Sequence, residues 1–392
     1  MSTTRVALYV SSGATLFHYG VDVEAAALIR RGSITLPASV QYAWPHPRKS
    51  FLYVACSNGA PGVMGDMHRV VAVRIDPANG ALHPHGEPMS LPSRPIHITV
   101  DATGSYGFIA YNDPSGITVH RVEPDGTLAA ALAQPTPPDV GVFAHQVRVM
   151  PSNTGVVLVT RGNDAAAGRP EEPGALKVFA LSDGQLTNMA SVAPEGGVGF
   201  GPRHLDFHPT KPWVYVSLER QNRIHVYRMR DDELEPQPAF VADTLEAPDK
   251  PGSQQRAGAI RVHPNGRYVY VANRAGGSVE FGGRKVFAGG ENNIAVFTLD
   301  AATGEPTLMQ HVNSRGIVPR TLAIDASGRV LIVANARSLA VKSGSSVETV
   351  PANVSIFRIG DDGKLTYVAK REIDSTSGAL FWMGLVRLSA AK

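Results

Sequence analysis

The 392-residue chain has little cysteine, little charge and no long apolar run, and each shortage excludes a class of protein. Cys56 is the only cysteine, so the chain can form neither an internal disulfide nor a multi-cysteine metal site. Charged residues make up 18% and the formal net charge is +3, which gives no basic footprint for nucleic acid or anionic membrane. No stretch reaches the ~18 apolar residues of a membrane span, and the N-terminus lacks the apolar region of a signal peptide. These features predict a soluble cytoplasmic protein with a buried Cys56.

Turn-forming residues are abundant. The chain contains 39 glycines and 29 prolines, while 43% of its residues are hydrophobic. A composition of this kind predicts a folded chain with a real core and many tight turns.

A hairpin pattern recurs six times along the chain. Each copy has a strand of alternating apolar residues, a polar turn and a second strand rich in β-branched and aromatic residues, which is the signature of a β-hairpin. The copies lie at 40–55, 97–111, 145–159, 204–216, 260–271 and 321–333, and their turns are marked by Pro47, Ala102, Pro151, Pro209, Pro264 and Ala326.

A third strand follows most hairpins, and repeated units of about four strands are typical of propeller blades. Dividing the chain length by the mean spacing, about 56 residues, gives seven blades. We therefore predict an all-β, seven-bladed β-propeller with four-stranded antiparallel blades, formed by residues 1–392 as a single domain. N-terminal strands at about 5–37 and a C-terminal strand at about 380–389 are expected to share the closing blade, which protects both edges. A β-sandwich or a pair of barrels would explain less well why six hairpin copies recur at a regular spacing.

The blades of a propeller surround a central channel. Two sets of equivalent positions should face the same mouth of this channel, because the first strand of a blade starts at the end where the second strand finishes. Six residues before each turn marker stand Gln41, Ile96, His145, Arg203, Gly258 and Arg320; ten residues after it stand Ser57, Asn112, Arg161, Glu219, Arg274 and Ala336. Strand ends are commonly polar because they meet water, but four arginines against one acid favour an anionic ligand. The long segments at 58–69, 162–175, 275–293 and 338–353 should open at the same mouth and could roof a pocket there.

The segments 201–209, 214–219 and 318–328 carry a family resemblance. With them the whole chain resembles the lactonase family of seven-bladed propellers, which includes bacterial 6-phosphogluconolactonases and fungal carboxy-cis,cis-muconate cyclases. The resemblance implies a catalytic set of His145, Arg203, Glu219 and Arg274, with Arg320 matching a repeated Pro-Arg motif.

These residues predict a metal-independent hydrolase of a small lactone that bears a carboxylate or several hydroxyls. His145 or Glu219 would be the general base, Arg203 or Arg274 would face the oxyanion, and Arg320 would hold the acid group. Substrate-binding roles are also expected for Arg161, Asn112 and Ser57. The segments 275–293 and 338–353 look longer than is usual in the family, so a phosphorylated sugar lactone is not the only candidate substrate.

Other interpretations of the same residues stay open. Glu219 could only neutralise arginines, and His145 could be a plain hydrogen-bonding residue at a strand start. The same set could perform a cycloisomerase reaction on a muconolactone. A non-catalytic interaction scaffold is a further alternative, although the three tryptophans, Trp44, Trp213 and Trp382, are expected to pack within or beside strands.

We expect no metal, nucleotide or other cofactor, and a monomer or weak homodimer. His83 and His85 are expected to form a turn. His46, His208 and His263 each precede a turn-marking proline and are expected to serve packing or the turn, and His204 is expected to alternate away from the mouth.

Overall fold

The computed structural model describes residues 5–388, which form 33 strands and one turn of 3-10 helix. The strands build seven sheets of at least four strands and two separate hairpins, confirming the prediction of an all-β, seven-bladed propeller. Within the described residues, no helix is long and apolar enough to cross a membrane.

Each blade places its strands antiparallel, with the first strand innermost in the six blades that are continuous in sequence. The closing blade begins with β1 (Val6–Ser12), β2 (Thr15–Asp22) and β3 (Ala27–Thr35). Blade 1 contains β4 (Ser39–Pro45), β5 (Phe51–Ser57), β6 (His68–Ile75) and β7 (Leu82–Ser90). Blade 2 contains β8 (Pro95–Val100), β9 (Tyr106–Asn112), β10 (Ser115–Val122) and β11 (Leu128–Ala131). Blade 3 contains β12 (Ala144–Val149), β13 (Gly155–Thr160), β14 (Ala175–Ser182) and β15 (Gln185–Val192), followed by the 3-10 turn Pro194–Gly197.

The second half of the ring repeats this order with additions. Blade 4 contains β16 (Pro202–Phe207), β17 (Trp213–Leu218), β18 (Arg223–Arg230), β19 (Glu233–Leu234) and β20 (Phe240–Asp243), the last two both pairing with β18. Blade 5 contains β21 (Arg256–Val262) and β22 (Tyr268–Arg274), then a hairpin of β23 (Ser278–Phe281) and β24 (Arg284–Phe287), then β25 (Asn293–Leu299) and β26 (Pro306–Asn313). Blade 6 contains β27 (Ile317–Ile324) and β28 (Val330–Arg337), a hairpin of β29 (Leu339–Ser343) and β30 (Ser346–Val350), then β31 (Asn353–Ile359) and β32 (Leu365–Glu372).

The last strand closes the ring as the sequence predicts. Strand β33 (Met383–Arg387) pairs antiparallel with β1, with Tyr9 opposite Gly384. The first strands of neighbouring blades pack on one another, and β33 packs between β27 and β4. The inner strands therefore surround one central channel, and β33 supplies the innermost strand of the blade that β1, β2 and β3 begin.

Recurring polar contacts connect neighbouring blades on the face where the hairpins turn. His208 accepts the backbone N–H of Lys211 at Nδ1 (2.9 Å) and donates from Nε2 to the carbonyl of Gly266 in the next blade (2.9 Å). Gly266 has φ of +71°, and a Cβ there would lie 2.5 Å from the His208 ring, so both the turn and the close approach require glycine. His46 and His263 make the same kind of contact, so the packing or turn roles predicted for all three are confirmed.

The two separate hairpins fill the segments 275–293 and 338–353. Phe287 of one and Val341 of the other pack against the same apolar cluster, and Lys342 Nζ lies 4.4 Å from the centre of the Phe281 ring. These segments are therefore ordered hairpins that rest on each other.

Cys56 lies on β5 of blade 1 and is fully buried in the core, as predicted.

Candidate active site

The first strand of each complete blade contains a β-bulge near its start. In blade 4, Pro202 pairs with Leu218 and His204 pairs with Ser217, so Arg203 is an extra residue without a partner in the ladder. The same irregularity places Gln41, Ile96, His145, Gly258 and Arg320 in the bulges of the other complete blades. The first set of positions singled out from the sequence is therefore the set of bulge residues. A bulge bends the strand and redirects its side chains, which is why bulges are common beside active sites.

The bulge brings two successive side chains of a strand to the channel. Arg203 and His204 both line one small cavity, whose wall consists of Gln41, Tyr42, Ile96, His145, Arg203, His204, Arg320, Thr321 and Phe381. The prediction that His204 alternates away from the mouth is thus wrong, because strict alternation fails where the extra residue is inserted. A sequence signal existed: the position after each bulge holds Tyr, His, Gln, His, Ala or Thr and never a large aliphatic residue.

His145 is a buried, uncharged imidazole. Its ring lies 5.2 Å from the ring of His204, and its Nδ1 is buried without a hydrogen-bond partner. Burial and the guanidiniums of Arg203 and Arg320 hold the pKa of His145 well below its usual range. His145 is therefore neutral at physiological pH and keeps a lone pair on one ring nitrogen.

His204 is the hydrogen-bond partner of Arg203. Arg203 Nη1 donates toward the imidazole ring, 3.1 Å from His204 Nδ1 and 3.5 Å from His204 Nε2. Burial, followed by the charge of Arg203, lowers the pKa of His204 well below its usual range, which agrees with the neutral form. His204 thus fixes one end of a guanidinium that is only 1% exposed.

Glu219 is the shared counterion of three arginines. Its Oε1 accepts from Arg274 Nη2 at 2.7 Å and lies 3.9 Å from Arg256 Nε, while its Oε2 lies 3.5 Å from Arg203 Nε. Burial alone would raise the pKa of Glu219, but Arg274, Arg203 and the other nearby guanidiniums outweigh it and lower the pKa to about 2. Glu219 is an ionised carboxylate that positions arginines.

Gly258, the bulge residue of blade 5, lies close to the backbone of β22 and to the arginine of its own blade. A Cβ at Gly258 would lie 3.5 Å from Arg274 Cδ and 3.1 Å from the carbonyl oxygen of Ala272. Arg274 runs past this bulge from the end of β22 to Glu219 at the end of β17.

A second carboxylate organises the arginines nearer the surface. Asp164, in the segment 162–175, lies 2.7 Å from Arg220 Nε and 3.3 Å from both Arg161 Nη1 and Arg256 Nη2. Glu171 of the same segment also contacts Arg220. Sequence comparison of strand ends could not find Asp164 or Arg220, because both lie in irregular segments outside the repeat.

Arg320 differs from these arginines because no carboxylate of the described residues lies within ion-pair distance of it. Its Nε donates to the carbonyl of Phe381 over 3.2 Å, and its guanidinium carbon lies 3.7 Å from the centre of the Phe381 ring. Burial, followed by the charges of Arg203 and Arg274, lowers the pKa of Arg320 well below its usual range. A negative group bound beside Arg320 would offset this repulsion.

The remaining predicted residues lie outside the cavity wall. Ser57 is fully buried, where its Oγ bonds His68 Nδ1 (2.8 Å) and accepts the backbone N–H of Gly59 (2.8 Å). Asn112 is buried at the end of β9. Arg161 contacts Asp164 and acts on the site through its charge. The structure thus brings His145, Arg203 and Arg320 onto one wall with Glu219 and Arg274 directly behind Arg203. Among residues 5–388, no group of three or more His, Cys, Asp or Glu side chains is arranged to hold a metal ion.

Fold and site together define a seven-bladed propeller with a histidine, a carboxylate and several arginines at one mouth of its channel. The chain belongs to the lactonase family of seven-bladed β-propellers, whose family model matches residues 3–346. The resemblance drawn from the sequence is thereby confirmed.

Individual relatives agree with this membership. The chain is 25% identical over 341 residues to the 6-phosphogluconolactonase of Bacillus subtilis (84% of this chain, 87% of the relative). It is 29% identical over 327 residues to the 6-phosphogluconolactonase of Enterobacter sp. (78% and 82%). Among solved structures, a Lactobacillus plantarum protein (TM-score 0.74, 20% identity, 99% and 100% covered) and the periplasmic gluconolactonase of Pseudomonas aeruginosa (TM-score 0.72, 19% identity, 98% and 100%) share the fold.

Proposed function

We propose that the protein hydrolyses a small lactone that carries an acid group or several hydroxyls. The observation that carries the proposal is the single cavity wall formed by His145, Arg203 and Arg320. A neutral base beside two cations suits water attack on a carbonyl that becomes an oxyanion. Relatives named 6-phosphogluconolactonase support lactone hydrolysis as the reaction.

In the proposed reaction, His145 accepts a proton from water as the water oxygen attacks the lactone carbonyl carbon. The carbonyl π electrons move to oxygen and give a tetrahedral oxyanion. When the oxyanion collapses, the ring C–O bond breaks, and the departing ring oxygen takes the proton back from the His145 imidazolium. The products are a carboxylic acid, which ionises, and a hydroxyl on the same molecule.

His145 is a better candidate for the base than Glu219. A carboxylate with a pKa of about 2 is a very weak base at neutral pH, and its oxygens are already engaged with arginines. The imidazole is weakened as a base by Arg203 and Arg320, but a substrate anion beside these guanidiniums would offset their charge and raise the basicity of His145. The base would thus be activated by an acidic substrate.

Arg203 is the proposed oxyanion donor. His204 and Glu219 hold its guanidinium from two sides, so the donor is fixed before the charge develops. Donors arranged in this way commonly stabilise a transition state by about 2.7–4 kcal/mol. Arg274 shares Glu219 and supports this arrangement, and Arg320 is the proposed ligand of the substrate acid group.

The cavity volume is about 10 Å³, which is about the room one water needs on this measure. The attacking water therefore fits beside His145, while a lactone ring would bind toward the mouth.

Replacement of His145 by glutamine tests the proposal. We expect turnover of a responsive lactone, found in a panel of sugar-acid, muconate-derived and aliphatic lactones, to fall by about 10²–10⁴-fold. His225→Gln is the matched control, because His225 is also buried but lies on the outer strand β18 of blade 4. Near wild-type turnover in His145→Gln, with the panel active in the wild type, would overturn the assignment of the base.

Isotopically labelled water separates hydrolysis from isomerisation. Hydrolysis places a solvent oxygen in the product carboxylate, and we expect one labelled oxygen per turnover. An unlabelled product would contradict hydrolysis and favour the cycloisomerase reaction.

A further inference from the structure

We propose that Arg94 and Arg320, both stacked on Phe381, form an oxyanion-binding site that takes a phosphate or carboxylate group of the substrate at the channel mouth. This inference rests on the proposed lactone hydrolysis and deepens it. It adds Arg94 as a binding residue and Phe381 as a positioning residue.

Arg94 lies in the link between β7 and β8, outside both sets of equivalent positions. Its side chain is buried (6% exposed), although no carboxylate of the described chain forms an ion pair with it. Arg94 Nε donates to Gln41 Oε1 over 2.9 Å, and Gln41 belongs to the cavity wall. Arg94 Nη2 is buried without a hydrogen-bond partner. Arg94 is thus anchored to the cavity wall by one edge of its guanidinium, and its Nη2 carries donors that no residue in 5–388 accepts.

The platform under both guanidiniums is the same aromatic ring. The guanidinium carbon of Arg320 lies 3.7 Å from the centre of the Phe381 ring and that of Arg94 lies 5.7 Å from it. The two guanidinium carbons are therefore at most 9.4 Å apart, the sum of 3.7 and 5.7 Å. Phe381 itself lines the cavity with His145, so an anion held by both arginines would lie next to the proposed reaction centre.

Ion pairing separates these two arginines from the others at the mouth. Arg203, Arg256 and Arg274 share Glu219, and Arg161 and Arg220 contact Asp164. Arg94 and Arg320 have only an aromatic face and neutral oxygens as partners. A cation–π contact does not replace a counterion, because burying an unpaired charge costs several times what such a contact contributes.

Burial lowers the pKa of Arg94 to about 10, and Arg94 in turn is one of the charges that lower the pKa of Arg320. The charge of Arg94 thus destabilises the Arg320 guanidinium in the free protein. An oxyanion would relieve this repulsion and could accept hydrogen bonds from both planar forks, which match the oxygens of phosphate and carboxylate.

Direct binding tests the site independently of turnover. We would titrate wild type, Arg94→Gln and Phe381→Leu with inorganic phosphate, 6-phosphogluconate and gluconate in a calorimeter at low salt. We expect Arg94→Gln to weaken binding of 6-phosphogluconate by about tenfold or more, which corresponds to about 1.4 kcal/mol. Arg121→Gln is the matched control, because Arg121 also stacks on an aromatic ring (Tyr106, 5.4 Å) but lies on the outer part of blade 2. Equal affinity in Arg94→Gln and wild type for every anion would overturn the proposal.

The choice of probe identifies the anion. Loss of affinity for phosphate and 6-phosphogluconate, with little loss for gluconate, assigns a phosphate group. An equal loss for gluconate would contradict a site for an acid group of the substrate, because the only carboxylate of gluconate is the one that opening of the lactone creates. Phe381→Leu should weaken the same anion as Arg94→Gln, since it removes the platform; wild-type affinity in this variant would contradict the positioning role.

Kinetics distinguish failure of this site from failure of lactone hydrolysis. Compared with a neutral sugar lactone, a phosphorylated or carboxylated lactone should lose at least about tenfold more kcat/KM in Arg94→Gln, mainly through KM. Equal losses on charged and neutral lactones would refute the anion site while leaving hydrolysis intact. If no lactone were turned over, the proposed reaction would fail, and the binding titration alone would decide the anion site.

Discussion

Replacing Glu219 by glutamine removes one negative charge from the centre of the arginine cluster and keeps the shape of the side chain. The carboxylate is buried, with a side chain only 10% exposed, and its pKa falls from an ordinary value of 4.5 to about 2. At about 1.4 kcal/mol per pKa unit, the charged form contributes about 3 kcal/mol to folding at neutral pH. We therefore expect Glu219→Gln to lower the free energy of unfolding by about this amount.

The pH dependence of this loss has a definite sign. Because the native-state pKa of Glu219 is depressed, its stabilisation is fully present above pH 4.5 and is lost as the pH falls toward about 2. Wild type and Glu219→Gln should thus approach each other in stability in acid. Urea unfolding at neutral pH and at several lower pH values, followed by tryptophan fluorescence, measures the difference.

Glu24→Gln is the control for a loss of charge in solvent. Glu24 pairs with Arg329 at 2.6 Å, but its side chain is 72% exposed, and exposed pairs of this kind contribute about 0–1 kcal/mol. The reasoning is refuted if Glu219→Gln is as stable as Glu24→Gln at neutral pH, or if its deficit does not shrink in acid. Residual lactone turnover in folded Glu219→Gln is also expected, since His145 remains available as the base.

Two further substitutions test the contacts that fix the site and the ring. His204→Phe removes the acceptor of Arg203 Nη1, and hydrogen bonds to charged groups contribute about 1.5–3 kcal/mol to stability, so urea unfolding should show a loss of about this size and kcat/KM should fall as well; unchanged kinetics would count against a positioning role. His208→Ala leaves the carbonyl of Gly266 without its donor and should destabilise the protein by about 1–3 kcal/mol, measured by urea unfolding against the exposed control His83→Ala. Equal stability of these last two variants would show that the blade-to-blade contact is unimportant.

The fold was predictable because a propeller repeats its information. Alternating apolar residues, a turn and a β-branched strand recur in phase six times, so errors at one copy are corrected by the others. The closing blade was also predictable. Once the six hairpin copies are assigned to six blades, the first strands of the chain and the strand at Phe381–Leu388 are left over, and together they make the seventh blade. The hairpins β23–β24 and β29–β30 were predicted as long connections because neither belongs to the repeat.

The site was predictable only where it follows the repeat. His145, Arg203 and Arg320 stand at equivalent positions, and comparison of blades was enough to single them out. His204 was misplaced because the bulge breaks the alternation on which the prediction depended. Arg94 was missed because its role depends on two residues far away in the sequence, Gln41 and Phe381, which only the closed ring brings to it.

The repeated bulge divides an inner strand into a start that faces the channel and a remainder that packs the blade. Beyond the bulge, ladder pairing resumes and the remaining residues pack the blade, whatever side chain the unpaired position carries. In blades 1, 4 and 6 the bulge residue and the residue after it both line the cavity, where a regular pleat would offer one side chain. Substitution at these positions can change the ligand chemistry of the mouth with little effect on how blades stack. A scaffold of this kind can acquire new substrates through a few residues while the ring that supports them stays the same.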